Sequence, residues 1–297
     1  MSNELAAGVV VHAYPHALGD VACTSYVTTG LRAFGQRELV MTMTRGGPEP
    51  VPLLRAIAGF AEQGTLVDDG GRTEVGPNGL FGRPELRGVV YQHAWPMDGV
   101  PVPPDALAMI MLVGHEMQTA TDYGALRVLA RLGRAHRFFP TAVWCDVTRG
   151  PLFPPESGTV LENVARGSVN GLAVVVEGDD IVLRAPRSAL TTFANLPPPD
   201  LALALLTTIA PDADSCLVWT PGQRAPEAIA FPGSTGRRTS GCFVAFVPQQ
   251  DADAANVFED GVVCMLTDAS WARVRQALAT GTPLTIPGTR ALSIVWI

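Results

Sequence analysis

The chain has 297 residues, 47% of them hydrophobic and 16% charged, with a net charge of −7. That is enough apolar material for one large domain or two joined lobes, and the acidic balance disfavours a nucleic-acid binder, which normally carries a basic face. All 21 basic residues are arginine, so no lysine exists to form a Schiff base, a Walker-type phosphate loop or a protein-kinase site.

Ala6 to Thr44 reads as strands. The valines after Gly8 are β-branched, and Leu39, Met41 and Met43 alternate with Val40 and Thr42. Pro50 and Pro52 precede a helical spacing of Leu53, Leu54, Ile57, Ala58 and Ala61, which ends before Gly64. Residues 68–85, rich in Gly, Asp and Pro, read as an exposed loop. Strands follow over Gly88 to His93 and Leu107 to Val113, on either side of a proline cluster. Asp122 is the expected N-cap of a helix running to about Arg134, with Leu126, Leu129 and Leu132 as its apolar side. Thr141 to Val147 reads as a strand, and Gly150 to Pro155 as a turn-rich boundary. In the second half, Leu172 to Val176 and Ile181 to Leu183 read as strands around an acidic turn, followed by a helix over Arg187 to Ala194. Gly261 to Leu266 reads as a strand, Ala269 to Ala279 as a helix capped by Asp268, and Ala291 to Trp296 as the last strand. Strands in succession, without regular alternation with helices, predict an α+β fold of mixed, largely antiparallel sheets with helices packed on them. The expected division is an N-terminal lobe over 1–155 and a C-terminal lobe over 156–297, closely packed as one globular unit.

The most suggestive side chains are Arg127, Arg131 and Arg134, spaced along one helix face and extended by Arg137. Arginine pairs bidentately with carboxylate or phosphate, so the row is a candidate contact for an acidic partner. The alternative is the solvated back of an amphipathic helix. His115 and Glu116 offer acid–base or metal chemistry but lack the second histidine of a zinc helix. His12, His16, Asp20 and Cys23 are the densest group of potential metal ligands, at loose spacing around Pro15. Cys145 is followed by Asp146, which disfavours a thiolate. Ser168 does not sit in a nucleophile elbow. Arg237 and Arg238 lie in a polar loop suited to an anion or to a plain hairpin connection. No complete catalytic constellation emerges, and no cofactor and no metal are expected.

The five cysteines are odd in number, widely spaced and mostly set among apolar residues, which predicts buried free thiols. The N-terminal stretch has Glu4 where a signal peptide carries positive charge, and no apolar run is long enough to span a bilayer. A cytoplasmic location without membrane insertion is the expectation.

Three ordered stretches resemble a known family. They are Val27 to Leu31 with Gly35 to Val40; Arg131-Leu132-Gly133 with Arg137 to Pro140 and Arg149 to Phe153; and Gly241 to Val244 with Glu259 to Val262 and Ile294-Val295-Trp296. They are similar to the C-terminal domain of the Smad anchor for receptor activation and endofin. The FYVE finger and Smad-binding segment of those proteins have no counterpart here, so the chain reads as a free-standing, bacterial copy of the domain. The resemblance implies a scaffold-like, non-enzymatic domain that binds another protein, with no catalytic residues to carry over. The run from Thr29 through Glu38 to Met43 and the proline-rich helix start, with Pro103 to Glu116, also resembles suppressor-of-fused-type domains, which implies as an alternative an immunity protein that neutralises a toxin. A hydrolase using His115 or the His12/His16 group is the remaining alternative.

Overall fold

Leu107–Val113 is seven apolar residues in a row, every one buried, as a central strand covered on both faces requires. The computed structural model describes residues 2–6, 8–220, 222–231 and 233–297, the first of these spans by backbone alone. Ala7, inside the stretch read as strand, lies outside them. The chain begins with β1 (Ser2–Ala6), β2 (Val9–Leu18), β3 (Val21–Thr29), β4 (Leu39–Thr44) and α1 (Val51–Glu62). There follow β5 (Arg72–Glu74), β6 (Leu86–His93), β7 (Leu107–Val113), α2 (Glu116–Tyr123), α3 (Ala125–His136) and β8 (Trp144–Cys145). The remainder holds β9 (Ala165–Ser168), β10 (Ala173–Glu177), β11 (Asp180–Ala185), α4 (Leu190–Phe193), β12 (Leu203–Leu206) and β13 (Ser215–Val218). It continues with β14 (Glu227–Ala230), β15 (Arg238–Gly241), β16 (Phe243–Val247), β17 (Ala254–Phe258), β18 (Gly261–Met265), α5 (Asp268–Thr280), β19 (Leu284–Ile286) and β20 (Leu292–Trp296).

The fold is α+β with three mixed, largely antiparallel sheets. Contacts divide it into residues 1–118 with 143–151, and residues 119–142 with 152–297. In the first unit one sheet runs β1-β2-β3-β4-β7-β6-β5, with β8 pairing β4. Alternation places Met41, Met43, Met109, Met111, Val89 and Tyr91 on one face, where they form a core with Leu54, Ile57 and Ala58 of α1. In the second unit a seven-stranded sheet runs β14-β13-β15-β10-β11-β20-β19, and a five-stranded sheet runs β17-β18-β16-β12-β9. Their inner faces share a core: Val174, Leu183 and Ile294 from the first, Leu205, Phe246 and Cys264 from the second. Helix α5 adds Trp271, Val274 and Leu278 to it. Trp271 stacks on Phe246 with ring centroids 5.3 Å apart, and its indole N–H donates to Pro199 O at 2.8 Å. The ring is thus buried without stranding its donor.

Several local expectations are corrected. Asp122 does not cap α3: it lies in the last turn of α2, and Gly124, at φ 89°, separates the two helices. Thr267, not Asp268, caps α5, its side chain accepting the Ser270 N–H at 3.3 Å. The strand read over Thr141 to Val147 shrinks to β8. The helix read over Arg187 to Ala194 is a 3₁₀ turn, Arg187–Ala189, followed by the single turn of α4. The loop before β15 is no hairpin connection, because β13 lies between β14 and β15 in the sheet. Gly133 is dictated by close approach: a Cβ there would fall 1.2 Å from the Pro140 carbonyl oxygen.

Candidate functional site

Helix α3 is built from good helix formers, alanine, leucine and arginine. Yet Ala125 through Gly133, nine consecutive residues, are all buried. The inner half of the arginine row, Arg127 and Arg131, is therefore not a solvated back. Arg127 is 0% exposed, and Arg131 is buried beside it. Two buried guanidinium groups require counter-charges, and the chain supplies them.

Arg127 Nη1 donates to Asp260 Oδ1 at 2.7 Å, and its Nε donates to Glu156 Oε1 at 3.3 Å. Glu259 Oε2 lies 3.4 Å from the same Nη1. Arg131 Nη2 donates to Glu156 Oε2 at 3.0 Å, and its Nη1 donates to Trp219 O. The Tyr123 ring lies under the Arg127 guanidinium, 5.2 Å from centroid to Cζ. Glu259 and Asp260 form the two-residue turn between β17 and β18, in which Phe258 pairs Gly261. Glu259 adopts φ 50°, a left-handed conformation that costs a non-glycine residue about 1 kcal/mol. Its side chain is held from two sides: Oε1 also accepts the Val160 N–H at 2.9 Å. The turn is thereby clamped to α3 and to the segment around 156–160.

The electrostatics are lopsided. Two arginines face three carboxylates, all nearly or fully buried. Burial pulls the Arg127 pKa down, but Asp260, Glu156 and Glu259 more than reverse this, and the net shift is upward. Burial raises the Glu259 and Asp260 pKa values, against the pull of Arg127. Among the described residues Asp260 Oδ2 accepts no hydrogen bond. The neighbouring Cys242 thiol is raised well above its ordinary value by burial first and by Asp260 second. Cys216 is raised for the same two reasons. Burial and Asp260 thus both disfavour a thiolate at these positions. The centre's chemistry is cross-linking: it joins α3 to a hairpin more than a hundred residues away in sequence.

Arg134 and Arg137 emerge from the buried row. Arg134 is 37% exposed and pairs with Glu227. Arg137 is exposed, ends α3 at φ 53°, and has no ion pair among the described residues.

The other candidates are placed as follows. Glu116 is fully buried and grips Arg149 through two bonds of 2.7 and 2.8 Å while accepting the Val113 N–H at 2.8 Å. It is a structural anchor, and His115 beside it is half-buried. His12 Nε2 meets Thr29 Oγ1 at 3.2 Å. His16 Nε2 meets Ser25 Oγ at 2.8 Å, and Ser25 in turn meets Thr42 at 2.6 Å on the sheet. Ser25 is fully buried. Cys23 is buried and Asp20 exposed in the β2–β3 turn. Among the described residues no three His, Cys, Asp or Glu side chains converge as metal ligands. Burial pushes the Cys145 thiol up to about 11. The loop carrying Arg237 and Arg238 does wrap an anion, but the anion is internal: Asp214 accepts both backbone N–H groups and the Thr235 hydroxyl. All five cysteines are free and buried. Among the described residues no helix is long and apolar enough to cross a membrane.

Sequence reasoning found the arginines and missed their partners. Glu156, Glu259 and Asp260 lie far from α3 in sequence. The only linear hint was two adjacent carboxylates before Gly261 at a strand boundary. Asp69 was also missed. It accepts the His93 N–H at 3.0 Å, and burial pushes its carboxyl up to about 6.

The second unit is thus an α+β assembly of mixed sheets with a buried arginine–carboxylate centre. Residues 101–293, about two thirds of the chain, match the family described as Smad anchor for receptor activation-like, C-terminal. The chain belongs to that family. All five charged residues of the centre lie within the match. Two of the stretches that carry the resemblance, Arg131-Leu132-Gly133 and Glu259-Asp260-Gly261-Val262, meet at it. No curated protein matches the chain.

Proposed function

We propose that this chain is a non-enzymatic protein-interaction domain that contacts its partner through the exposed end of the α3 arginine row, Arg134 and Arg137. The observation that carries the reading is the split within the row. Arg127 and Arg131 spend their charge on internal carboxylates and fix the helix, whereas Arg137 stands exposed with no ion pair among the described residues. A rigid helix end that presents a free guanidinium is suited to a carboxylate on another protein. Family membership supports the same reading, because the family is defined by a domain of an anchoring protein.

The test is affinity capture of the tagged protein from its native lysate, beside an Arg134→Glu/Arg137→Glu variant shown by circular dichroism to be folded. A stoichiometric partner that is lost only in the variant is expected. A partner retained by the variant removes Arg134 and Arg137 from the contact. No partner in either sample overturns the interaction reading. A toxin among the captured proteins would make the domain an immunity protein, checked by rescue of cells expressing that toxin.

A further inference from the structure

The surroundings of Arg137 define more than a charge. Strand β14 is the terminal strand of the seven-stranded sheet. Among the described residues it pairs only β13, Val218 with Glu227 through Ser215 with Ala230. A groove of about 480 Å³ runs along it, lined by Glu227, Ala228, Ile229 and Ala230 on one wall and by Arg134, Ala135 and Arg137 on the other. Just beyond the residues that line it, Phe138 and Phe139 pack edge-on against Phe231, with ring centroids 5.5 and 5.2 Å apart. Its rim carries two guanidinium groups and one carboxylate, on a chain whose net charge is −7. It is a local positive spot on an acidic protein.

The backbone at Arg137 points the same way. A helix that ends in the left-handed conformation normally does so at glycine, and arginine there costs about 1 kcal/mol. Arg137 holds φ 53° at this position, and its guanidinium has no ion pair among the described residues. Strain kept at an exposed residue is a reason to look for a role for its side chain.

We infer that β14 and Arg137 together take an extended acidic segment of a partner protein, which adds a strand to the sheet and places a carboxylate on Arg137. This rests on the proposed contact through Arg134 and Arg137 and specifies its occupant. An unpaired strand edge offers N–H and C=O groups in alternation, and another extended backbone satisfies both kinds. A phosphate or a free carboxylate would use only the donors. Four residues of β14 at about 3.3 Å each give a site roughly 13 Å long, enough for four or five residues of partner.

The probe is a fluorescently labelled seven-residue peptide alternating valine and glutamate, titrated at low salt. Its controls are the valine–lysine counterpart and a valine–glutamate peptide N-methylated on alternate amides. The glutamate peptide is expected to bind, and both controls to bind at least tenfold more weakly. Arg137→Gly is the decisive variant. It relieves the backbone strain, so its thermal stability is expected to be equal or higher, while its affinity for the glutamate peptide falls about five- to tenfold. Hydrogen exchange is expected to slow at residues 227–230 on binding. No binding, equal affinity for the lysine or N-methylated peptide, or unchanged affinity in Arg137→Gly overturns the inference. So does concentration-dependent dimerisation without peptide that protects the same strand, which would assign the edge to a second copy. A captured partner that is lost in the Arg134→Glu/Arg137→Glu variant but leaves residues 227–230 unprotected keeps the proposed function and removes only the strand addition.

Discussion

Replacing Arg127 with methionine tests whether the buried centre holds the second unit together. The substitution keeps most of the side-chain volume and removes one of two cations. Glu156 and Asp260 then retain only Arg131, Glu259 loses its ion pair, and the three carboxylates are 4%, 0% and 5% exposed. Removing one partner of a buried pair costs about 3–5 kcal/mol, chiefly because the remaining charges are left uncompensated. Against a total stability of roughly 5–15 kcal/mol, the change is severe. With a urea dependence of about 3 kcal/mol per molar, the unfolding midpoint should fall by about 1–1.7 M. The pH dependence gives a second, independent signature. Burial already raises the Asp260 and Glu259 pKa values in the folded protein. The folded state therefore binds more protons than the unfolded state between the ordinary carboxylate value and the raised one. Stability falls as pH rises through that window. Without Arg127 the window widens upward, so the deficit of the variant should be larger at pH 7.5 than at pH 5. Urea titrations followed by tryptophan fluorescence at both pH values measure it. A loss below about 1 kcal/mol, or an equal loss at the two pH values, would refute the argument that this cation neutralises buried carboxylates. Adding Asp260→Asn should recover part of the loss, because the two residues are directly coupled.

Gly133→Ala should destabilise the protein by at least about 2 kcal/mol in thermal unfolding, although alanine is the better helix former, because the new Cβ meets the Pro140 carbonyl at 1.2 Å. A neutral or stabilising result would mean that the chain after α3 yields readily. Asp69→Asn should stabilise the protein by about 1–2 kcal/mol at pH 7, allowing for its partial exposure, and change little at pH 4. The carboxyl titrates near 6 when folded, so the wild type loses stability as pH rises from about 4 to 6. The variant's denaturation profile over that range should be flatter, and an unchanged profile would show that Asp69 does not carry the effect.

What the sequence disclosed follows the range of the interactions involved. Strands β7, β10 and β18 and helices α1 and α5 were legible because apolar periodicity or continuous burial is written into neighbouring residues. Strands β12, β13 and β16 were not picked out, although their runs are almost wholly buried. They are four or five residues long and are defined by partners distant in the chain, Leu203 with Phe246 and Cys216 with Ser240. The arginine row shows the same limit at the level of the site. Spacing placed Arg127, Arg131, Arg134 and Arg137 along α3, but spacing is identical whether a guanidinium faces water or a carboxylate 133 residues away. The helix pattern placed Leu126, Leu129 and Leu132 on the buried side correctly, but it could not show that Arg127 is as buried as they are. On the proposed function, a row of one residue type carries two roles. Its inner half locks the helix to the hairpin turn at Glu259 and Asp260. In the inferred contact, the lock holds the helix whose outer end lies beside β14, which pairs only β13 among the described residues, and a charge next to an unpaired backbone suits strand recognition.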